Sequence, residues 1–174
     1  MTLKLVSDAI AKDKVVQDAL TDLNSGLKVR LAVTKSAIPY ISATIAKTRP
    51  VVLIAATERA AQDLANSLID FVAEENIAVF PAWETLPHER LSPSSDTVGR
   101  RMAVLRRLAH PNEVAPISVL VTSARAFIQP LVAGLGDVPA LNIATGDDFS
   151  LERLVTKLSR LGFDRVDLVD RRGQ

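Results

Sequence analysis

Residues 34–39 follow the first predicted strand, and in a parallel α/β sheet the loop after the first strand is the usual phosphate-binding site. A phosphate-binding loop needs the pattern G-x-x-x-x-G-K-[ST], in which glycines admit the phosphates, lysine neutralises them and a hydroxyl binds magnesium. This stretch contains no glycine, and isoleucine and proline stand where the lysine and the hydroxyl belong. It therefore predicts a degenerate nucleotide loop, formed by Thr34, Lys35, Ser36, Ile38 and Pro39. The alternative is an ordinary turn into a helix, with proline in the first turn.

A second candidate site is cationic and lies near the end of the chain. Six residues form it: Arg153, Lys157, Arg160, Arg165, Arg171 and Arg172. The first three recur at i, i+4 and i+7, which places them on one face of a helix. The opposite face carries the predicted core stripe: Leu151, Leu154, Val155, Leu158 and Leu161. The cations either bind an acidic partner surface or form a solvated face balanced by nearby acids.

Residues 80–108 combine a short strand, a proline-rich loop and a basic helix, but show no metal-ligand spacing and no nucleophile–base pair. Trp83 is either a hot spot for a partner or a half-buried anchor for the loop. His88 and Glu89 are neighbours without a third catalytic group, and we interpret them as a coincidental surface pair.

The helix predicted at residues 96–109 has an apolar stripe that we expect to be buried: Val98, Met102, Leu105 and Ala109. Arg100 and Arg107 are expected on the far side, with Arg101 and Arg106 flanking the stripe. These arginines either contact nucleic-acid phosphates or are simply solvated.

Bulk composition narrows the class of protein. The chain has 174 residues, no cysteine, two histidines and a net charge of +1. These values exclude disulfides and cysteine metal sites, and they disfavour a histidine-rich zinc site and a generally basic nucleic-acid binder. The first residues lack a signal-peptide pattern and no stretch is apolar enough to span a membrane, so we expect a soluble cytoplasmic chain.

Short apolar runs alternate with helical patterns through the first 125 residues. Four runs are typical of strands buried on both faces: residues 29–33, 51–56, 77–80 and 117–121. Thr57 is a plausible N-cap for the helix between the second and third runs. Strands and helices at this spacing predict an α/β fold with a parallel sheet flanked by helices.

The chain beyond residue 125 has a different pattern. A helix at 124–132, bent or ended near Pro130, precedes a strand at 140–144, a helix capped by Ser150 and a strand near 166–168. This order predicts part of a small α+β domain that needs another strand, and hence an amino-terminal fragment of a longer protein. Three parts are expected: a helical segment at 1–26, an α/β domain at 27–126 and a truncated domain at 127–174.

Several segments carry more specific information. Residues 80–93 read FPAWETLPHERLSP and are followed by Asp96 and an Arg-x-x-x-Leu-x-x-Leu helix. Shorter segments are VTSARA at 121–126 and LGFDRVD at 161–167. Together these segments resemble the amino-terminal region of bacterial transcription-repair coupling factors, and the resemblance extends over nearly the whole chain.

This resemblance implies a fold and a function. In that family the region is similar to the amino-terminal part of UvrB, the damage-recognising subunit of excision repair, whose first loop is a true phosphate loop. The implied fold is a P-loop-NTPase-like parallel sheet with a degenerate loop, without catalytic residues or a cofactor in this fragment. Residues 127–174 would begin the domain that docks UvrA, through the six cations named above. RNA polymerase, DNA and ATP would bind only other parts of the full-length protein.

The implied role is a non-enzymatic scaffold that recruits UvrA to stalled RNA polymerase in transcription-coupled nucleotide excision repair. The alternative is a nucleotide-dependent DNA-binding domain of the UvrB type, from which the degenerate loop distinguishes it. A third possibility is a structural domain that restrains distant motor domains. Residues 80–97 are shorter and poorer in tyrosine than the DNA-clamping hairpin of UvrB, so little is present to stack on bases.

Overall fold

Three parallel strands form the sheet in the described part of this fold. The computed structural model describes residues 9–85, 92–139, 141–148, 150–161, 163 and 165–168. The strands are β1 (Val51–Ala55), β2 (Ile77–Phe80) and β3 (Val119–Ser123), in the order β1-β3-β2. In the pairing register, residue 119 of β3 aligns with residue 51 of β1 and residue 77 of β2, so all three strands end at one edge. The predicted α/β class with a parallel sheet is confirmed.

Helices pack on both faces of the sheet, but one face of β1 stays open: Val52 is 52% and Ile54 is 49% exposed, so the prediction of a strand buried on both faces is wrong for β1. The helices are α1 (Lys14–Asn24), α2 (Ile38–Ala46), α3 (Glu58–Leu68), α4 (Ser95–Ala109), α5 (Ala124–Ile128) and α6 (Leu151–Arg160). One core cluster joins α3 to β3: Ala61, Ala65, Leu68, Val119 and Val121. The other joins α4 and α5 to β2: Ala78, Phe80, Ala82, Val104 and Ala126. None of the described helices is both long and apolar enough to cross a bilayer.

The prediction of a strand at residues 29–33 is wrong. This segment has no strand conformation and does not pair with the sheet, and 45% of Val33 is exposed. A strand buried on both faces needs a hydrogen-bonding neighbour and apolar cover on each side. Arg30 interrupts the apolar run, and the segment lies at the surface instead. Residues 34–39 therefore do not follow a strand.

Local signals for helix ends are confirmed. Thr57 Oγ1 accepts a hydrogen bond from the N–H of Ala60 at 3.1 Å, which caps α3. Ser150 caps α6 in the same way, through the N–H of Arg153 at 3.5 Å. Helix α5 ends at Ile128, just before the Gln-Pro pair that was expected to bend or end it.

The prediction of the buried face of α4 is wrong except at Leu105, which is half-buried and packs against the second core cluster. The expected stripe is exposed or half-buried: Val98, Met102, Leu105 and Ala109. The buried residues of the helix are instead Thr97, Arg101 and Val104. The helix turns this face inward because Arg101 packs between the rings of Phe80 and Trp83. An arginine expected on the flank thus becomes part of the interior.

The chain beyond Ala126 has no buried residue among those described. Residues 141–144 and 165–168 do not form strands, so both strand predictions are wrong over their described parts; residue 140 lies outside them. Leu151, in the predicted core stripe of α6, is 74% exposed, and the other four residues of the stripe are only half-buried. The stripe stays accessible because no strand forms beside it in the described part of the chain.

Candidate functional site

The ends of β1, β2 and β3 meet at one edge of the sheet, here named the carboxyl edge. Helix α3 begins there at Glu58, shortly after β1, and α5 begins directly after β3. Parallel α/β proteins bind ligands outside this edge, and helix N-termini bring partial positive charge to it. The carboxyl edge is therefore the first candidate site.

Residues 81–85, here named the Trp83 loop, follow β2 and lie against the carboxyl edge. The N–H of Trp83 donates to Oε1 of Gln129 at 2.8 Å, and Nε2 of Gln129 donates to the carbonyl of Trp83 at 3.4 Å. The N–H of Ala82 donates to Oε1 of Glu58 at 3.2 Å. Side chains from two other parts of the fold thus hold the loop backbone in place.

A buried guanidinium packs against this loop. Arg101 is 1% exposed, and its Cζ lies 4.1 Å from the ring centroids of both Phe80 and Trp83. Its Nη1 donates to the carbonyl of Pro81 at 2.5 Å. Burial lowers the pKa of Arg101, while the negative charge of Glu58 opposes this shift. The two cation–π contacts offset part of the cost of burying the charge.

Glu58 supplies negative charge to the same edge. It is the first residue of α3, where a carboxylate interacts favourably with the helix dipole. Its Oε1 accepts hydrogen bonds from the N–H of Ala82 and from the hydroxyl of Ser123, the last residue of β3. The carboxyl edge therefore contains a carboxylate and a guanidinium that both belong to the protein.

A second carboxylate joins the Trp83 loop to α4. Oε1 of Glu84 accepts hydrogen bonds from the hydroxyls of Ser94, at 2.6 Å, and Thr97. These two bonds lower the pKa of Glu84 from 4.5 to about 2, and the bond from Ser94 makes the larger contribution. Because Ser94 is also the N-cap of α4, this link fixes the start of the helix. The predicted surface pair of His88 and Glu89 lies outside the described residues.

The predicted nucleotide loop forms a tight turn into α2. Lys35–Ala37 is a single 3₁₀ turn, and the hydroxyls of Thr34 and Ser36 share a hydrogen bond of 3.0 Å. Ile38 is half-buried and Pro39 is buried in the first turn of α2. This geometry is that of an ordinary entry into a helix. A former phosphate-binding role of these residues stays a prediction.

The cations of α6 share one exposed face. Arg153, Lys157 and Arg160 line a shallow depression of about 640 Å³. Its other lining residues are Asp148, Ser150, Glu152 and Thr156. Arg165 is also exposed, beyond the end of the helix. Two members of the predicted site lie outside the described residues: Arg171 and Arg172. The structure thus places Arg153, Lys157 and Arg160 on one helix face, as their helical spacing predicted.

The cations of α4 make contacts within the protein. Arg100 forms an ion pair with Asp96 at 2.8 Å. Arg107 donates to two backbone carbonyls of the following loop, at 2.9 and 3.2 Å. Arg106 donates to the carbonyl of Val138 at 3.4 Å. These contacts favour a structural role for the α4 cations over phosphate binding.

Sequence reasoning missed the residues that fill the carboxyl edge. Arg101 shares the i, i+4, i+7 spacing of Thr97 and Val104, which is a signal for a common face. Glu58 and Ser123 are 65 positions apart in the sequence, and nothing local connects them. Only the pairing of the strands brings these two residues together.

These features define an α/β domain whose ligand edge is filled by its own side chains. No protein-family model matches the chain. It is 41% identical over 150 residues to the transcription-repair-coupling factor of Mycobacterium bovis, a match covering 84% of this chain and 12% of the relative. The corresponding protein of Myxococcus xanthus is 27% identical over 158 residues, covering 86% of this chain and 13% of the relative. For Bacillus subtilis the identity is 25% over 160 residues, covering 89% and 13%.

The chain thus spans only 12–13% of the length of these relatives. This chain matches the amino-terminal region of transcription-repair-coupling factors, and the resemblance inferred from its sequence is confirmed.

Proposed function

We propose that this chain is a non-catalytic scaffold that recruits UvrA in transcription-coupled nucleotide excision repair. The names of the relatives associate them with transcription and repair. In this proposal UvrA docks on residues 127–174, and the segment uses no cofactor. RNA polymerase and DNA bind other parts of the full-length protein, which also carry its ATP-dependent activity.

The exposure of α6 is the observation that supports docking. After Ala126 no described residue is buried, so the charged face of α6 is not used to build a core. Arg153, Lys157 and Arg160 present a row of positive charge beside a depression. Such a row steers an acidic partner and fixes its orientation.

The carboxyl edge supports a scaffold role for residues 27–126. We infer that the sheet is P-loop-NTPase-like and that residues 34–39 are a degenerate phosphate loop, because no glycine admits a phosphate there. Glu58 and Arg101 already occupy the edge with their own contacts. The alternative, a UvrB-type DNA-binding domain, requires this edge to accept magnesium-ATP. Equilibrium dialysis distinguishes the two: we expect no binding of magnesium-ATP by this chain, and saturable binding supports the alternative.

Charge reversal in the full-length coupling factor that contains this chain tests the docking proposal. Changing Arg153, Lys157 and Arg160 together to Glu should weaken UvrA binding by about tenfold or more, chiefly by slowing association. Biolayer interferometry at low and high salt measures this effect. The binding of wild type should also be more sensitive to salt than that of the variant, because screening acts on the charges that were removed.

A matched control separates this site from the general charge of the protein. It reverses three exposed cations elsewhere: Lys28, Arg30 and Arg59. The control carries the same change in net charge and should bind UvrA as wild type does. If the α6 variant binds UvrA as tightly as the control, the proposed docking face is incorrect.

A further inference from the structure

Hydrogen-bond donors at the carboxyl edge converge on a single oxygen atom. Oε1 of Glu58 accepts from the backbone N–H of Ala82 at 3.2 Å and from the hydroxyl of Ser123. Glu58 is also the first residue of the eleven-residue helix α3. A backbone N–H, a hydroxyl and a helix N-terminus are the groups with which proteins bind small oxyanions. Here the anion comes from the chain itself.

Arg101 gives an independent indication of an anion site. Its guanidinium is covered on its faces by Phe80 and Trp83, and within the described part of the chain Nη1 alone has an acceptor, the carbonyl of Pro81. Nε and Nη2 are buried without a hydrogen-bond partner among the described residues. Leaving donors of a buried cation unpaired is costly, so a nearby negative charge is favourable. Arg101 and Glu58 bind adjacent residues of the same loop, since Arg101 donates to the carbonyl of Pro81 and Glu58 accepts from the N–H of Ala82.

We propose that Glu58 is the resident anion of a latent oxyanion site formed by the start of α3, Ala82, Ser123 and Arg101. The site takes a small oxyanion, phosphate or carboxylate, once the side chain of Glu58 is removed. In the native chain Glu58 keeps such ligands out. The carboxyl edge then has a second barrier to phosphate, which is independent of the missing glycines at residues 34–39. This inference does not depend on UvrA docking.

Two substitutions at Glu58 separate charge from volume. Glu58→Ala opens the site, whereas Glu58→Gln fills it with a neutral side chain of similar size. Trp83 is the only tryptophan and stacks on Arg101, so its fluorescence reports binding at the site. Inorganic phosphate is titrated against sodium chloride of equal ionic strength. We expect Glu58→Ala alone to show a saturable change in fluorescence. Its melting temperature should keep rising with phosphate concentration, by about 3 °C at roughly five times Kd.

Glu152→Ala is the matched control, because Glu152 lies in the first turn of α6 and is exposed. The proposal is overturned if Glu58→Ala responds to phosphate no more than this control. It is also overturned if wild type binds phosphate as strongly as Glu58→Ala, since an external anion then has room beside Glu58. If Glu58→Ala is unfolded in chloride, circular dichroism measures refolding by phosphate or acetate. Recovery of the fold supports the latent site, and no recovery refutes it.

Discussion

The carboxyl edge and helix α6 both contain charged side chains, but they use them differently. At the edge, Glu58 and Arg101 contact groups of the protein, and Arg101 is almost completely buried. On α6, Arg153 and Lys157 are exposed around a shallow depression. Charged groups at the carboxyl edge bind the loop and the helices of the protein itself, whereas the charge on α6 is available to a partner. The carboxyl edge is where parallel α/β proteins bind ligands, yet here its charged groups are already bound by the protein itself.

The same difference between buried and exposed charge is seen in two arginines. Arg101 and Arg153 both lie on amphipathic helices, yet one is 1% exposed and the other lies on an open surface. Aromatic rings on two sides allow the first guanidinium to be buried. Helical spacing alone does not distinguish the two arginines, because the rings come from another part of the chain.

Replacing Arg101 should produce the largest effect. Arg101→Ala removes both ring contacts and leaves the carbonyl of Pro81 without its donor. We expect a loss of about 3 kcal/mol in the free energy of unfolding. Arg101→Lys keeps the charge but not the planar stacking, and should lose an intermediate amount. Urea unfolding followed by circular dichroism measures these changes.

Arg153→Ala is the matched control for the substitution of Arg101. Because Arg153 is exposed on α6, its removal should change the free energy of unfolding by less than about 0.5 kcal/mol. Equal losses for the two arginines would show that the carboxyl edge and α6 do not differ in the way their contacts indicate.

Removing the helix caps should give an intermediate effect and sharpen the same comparison. Thr57→Ala and Ser150→Ala each delete one capping hydrogen bond, worth about 1 kcal/mol of helix stability. Helix α3 belongs to the core, so the first loss should appear in global unfolding. Helix α6 has no buried residue, so the second should appear mainly as faster hydrogen exchange of its own amides. A global loss of equal size for Ser150→Ala would mean that α6 unfolds together with the sheet.

The features predicted correctly from sequence are those determined by local interactions. The strand Ile77–Phe80 and the caps Thr57 and Ser150 follow from short patterns and from side chains that bind their own backbone. The cationic row of α6 is also local, because residues at i, i+4 and i+7 share a face of any helix. These features needed no knowledge of distant residues.

The features that sequence reasoning got wrong or missed depend on contacts between distant residues. The prediction of a strand at 29–33 was wrong because an apolar run becomes a strand only when it has a neighbouring strand to pair with. The face of α4 was wrong because Arg101 is stabilised by rings 18 and 21 positions earlier in the chain. The hydrogen bond between Glu58 and Ser123 exists only because β1 and β3 are adjacent. Periodicity contains no information about which elements are neighbours.

Glu84 should give the smallest effect, because it lies at the exposed rim of the carboxyl edge. Hydrogen bonds from Ser94 and Thr97 lower its pKa from 4.5 to about 2. A pKa lowered by folding means that the ionised carboxylate stabilises the folded chain. This contribution is complete above pH 4.5 and is lost as the pH falls towards 2. Between pH 4.5 and pH 2 the variant Glu84→Gln should therefore lose less stability than wild type. The difference should be less than about 1 kcal/mol, because exposed charges are screened by solvent.

Urea unfolding of wild type and Glu84→Gln between pH 2 and pH 6 measures this contribution. Glu152→Gln is the control, because it removes an exposed carboxylate from α6 and should leave the acid-induced loss unchanged. If Glu84→Gln loses stability in parallel with wild type over this range, the bonds from Ser94 and Thr97 do not hold the loop to α4. The carboxyl edge is then closed by Arg101, Glu58 and Gln129 alone, and its rim resembles the open surface of α6.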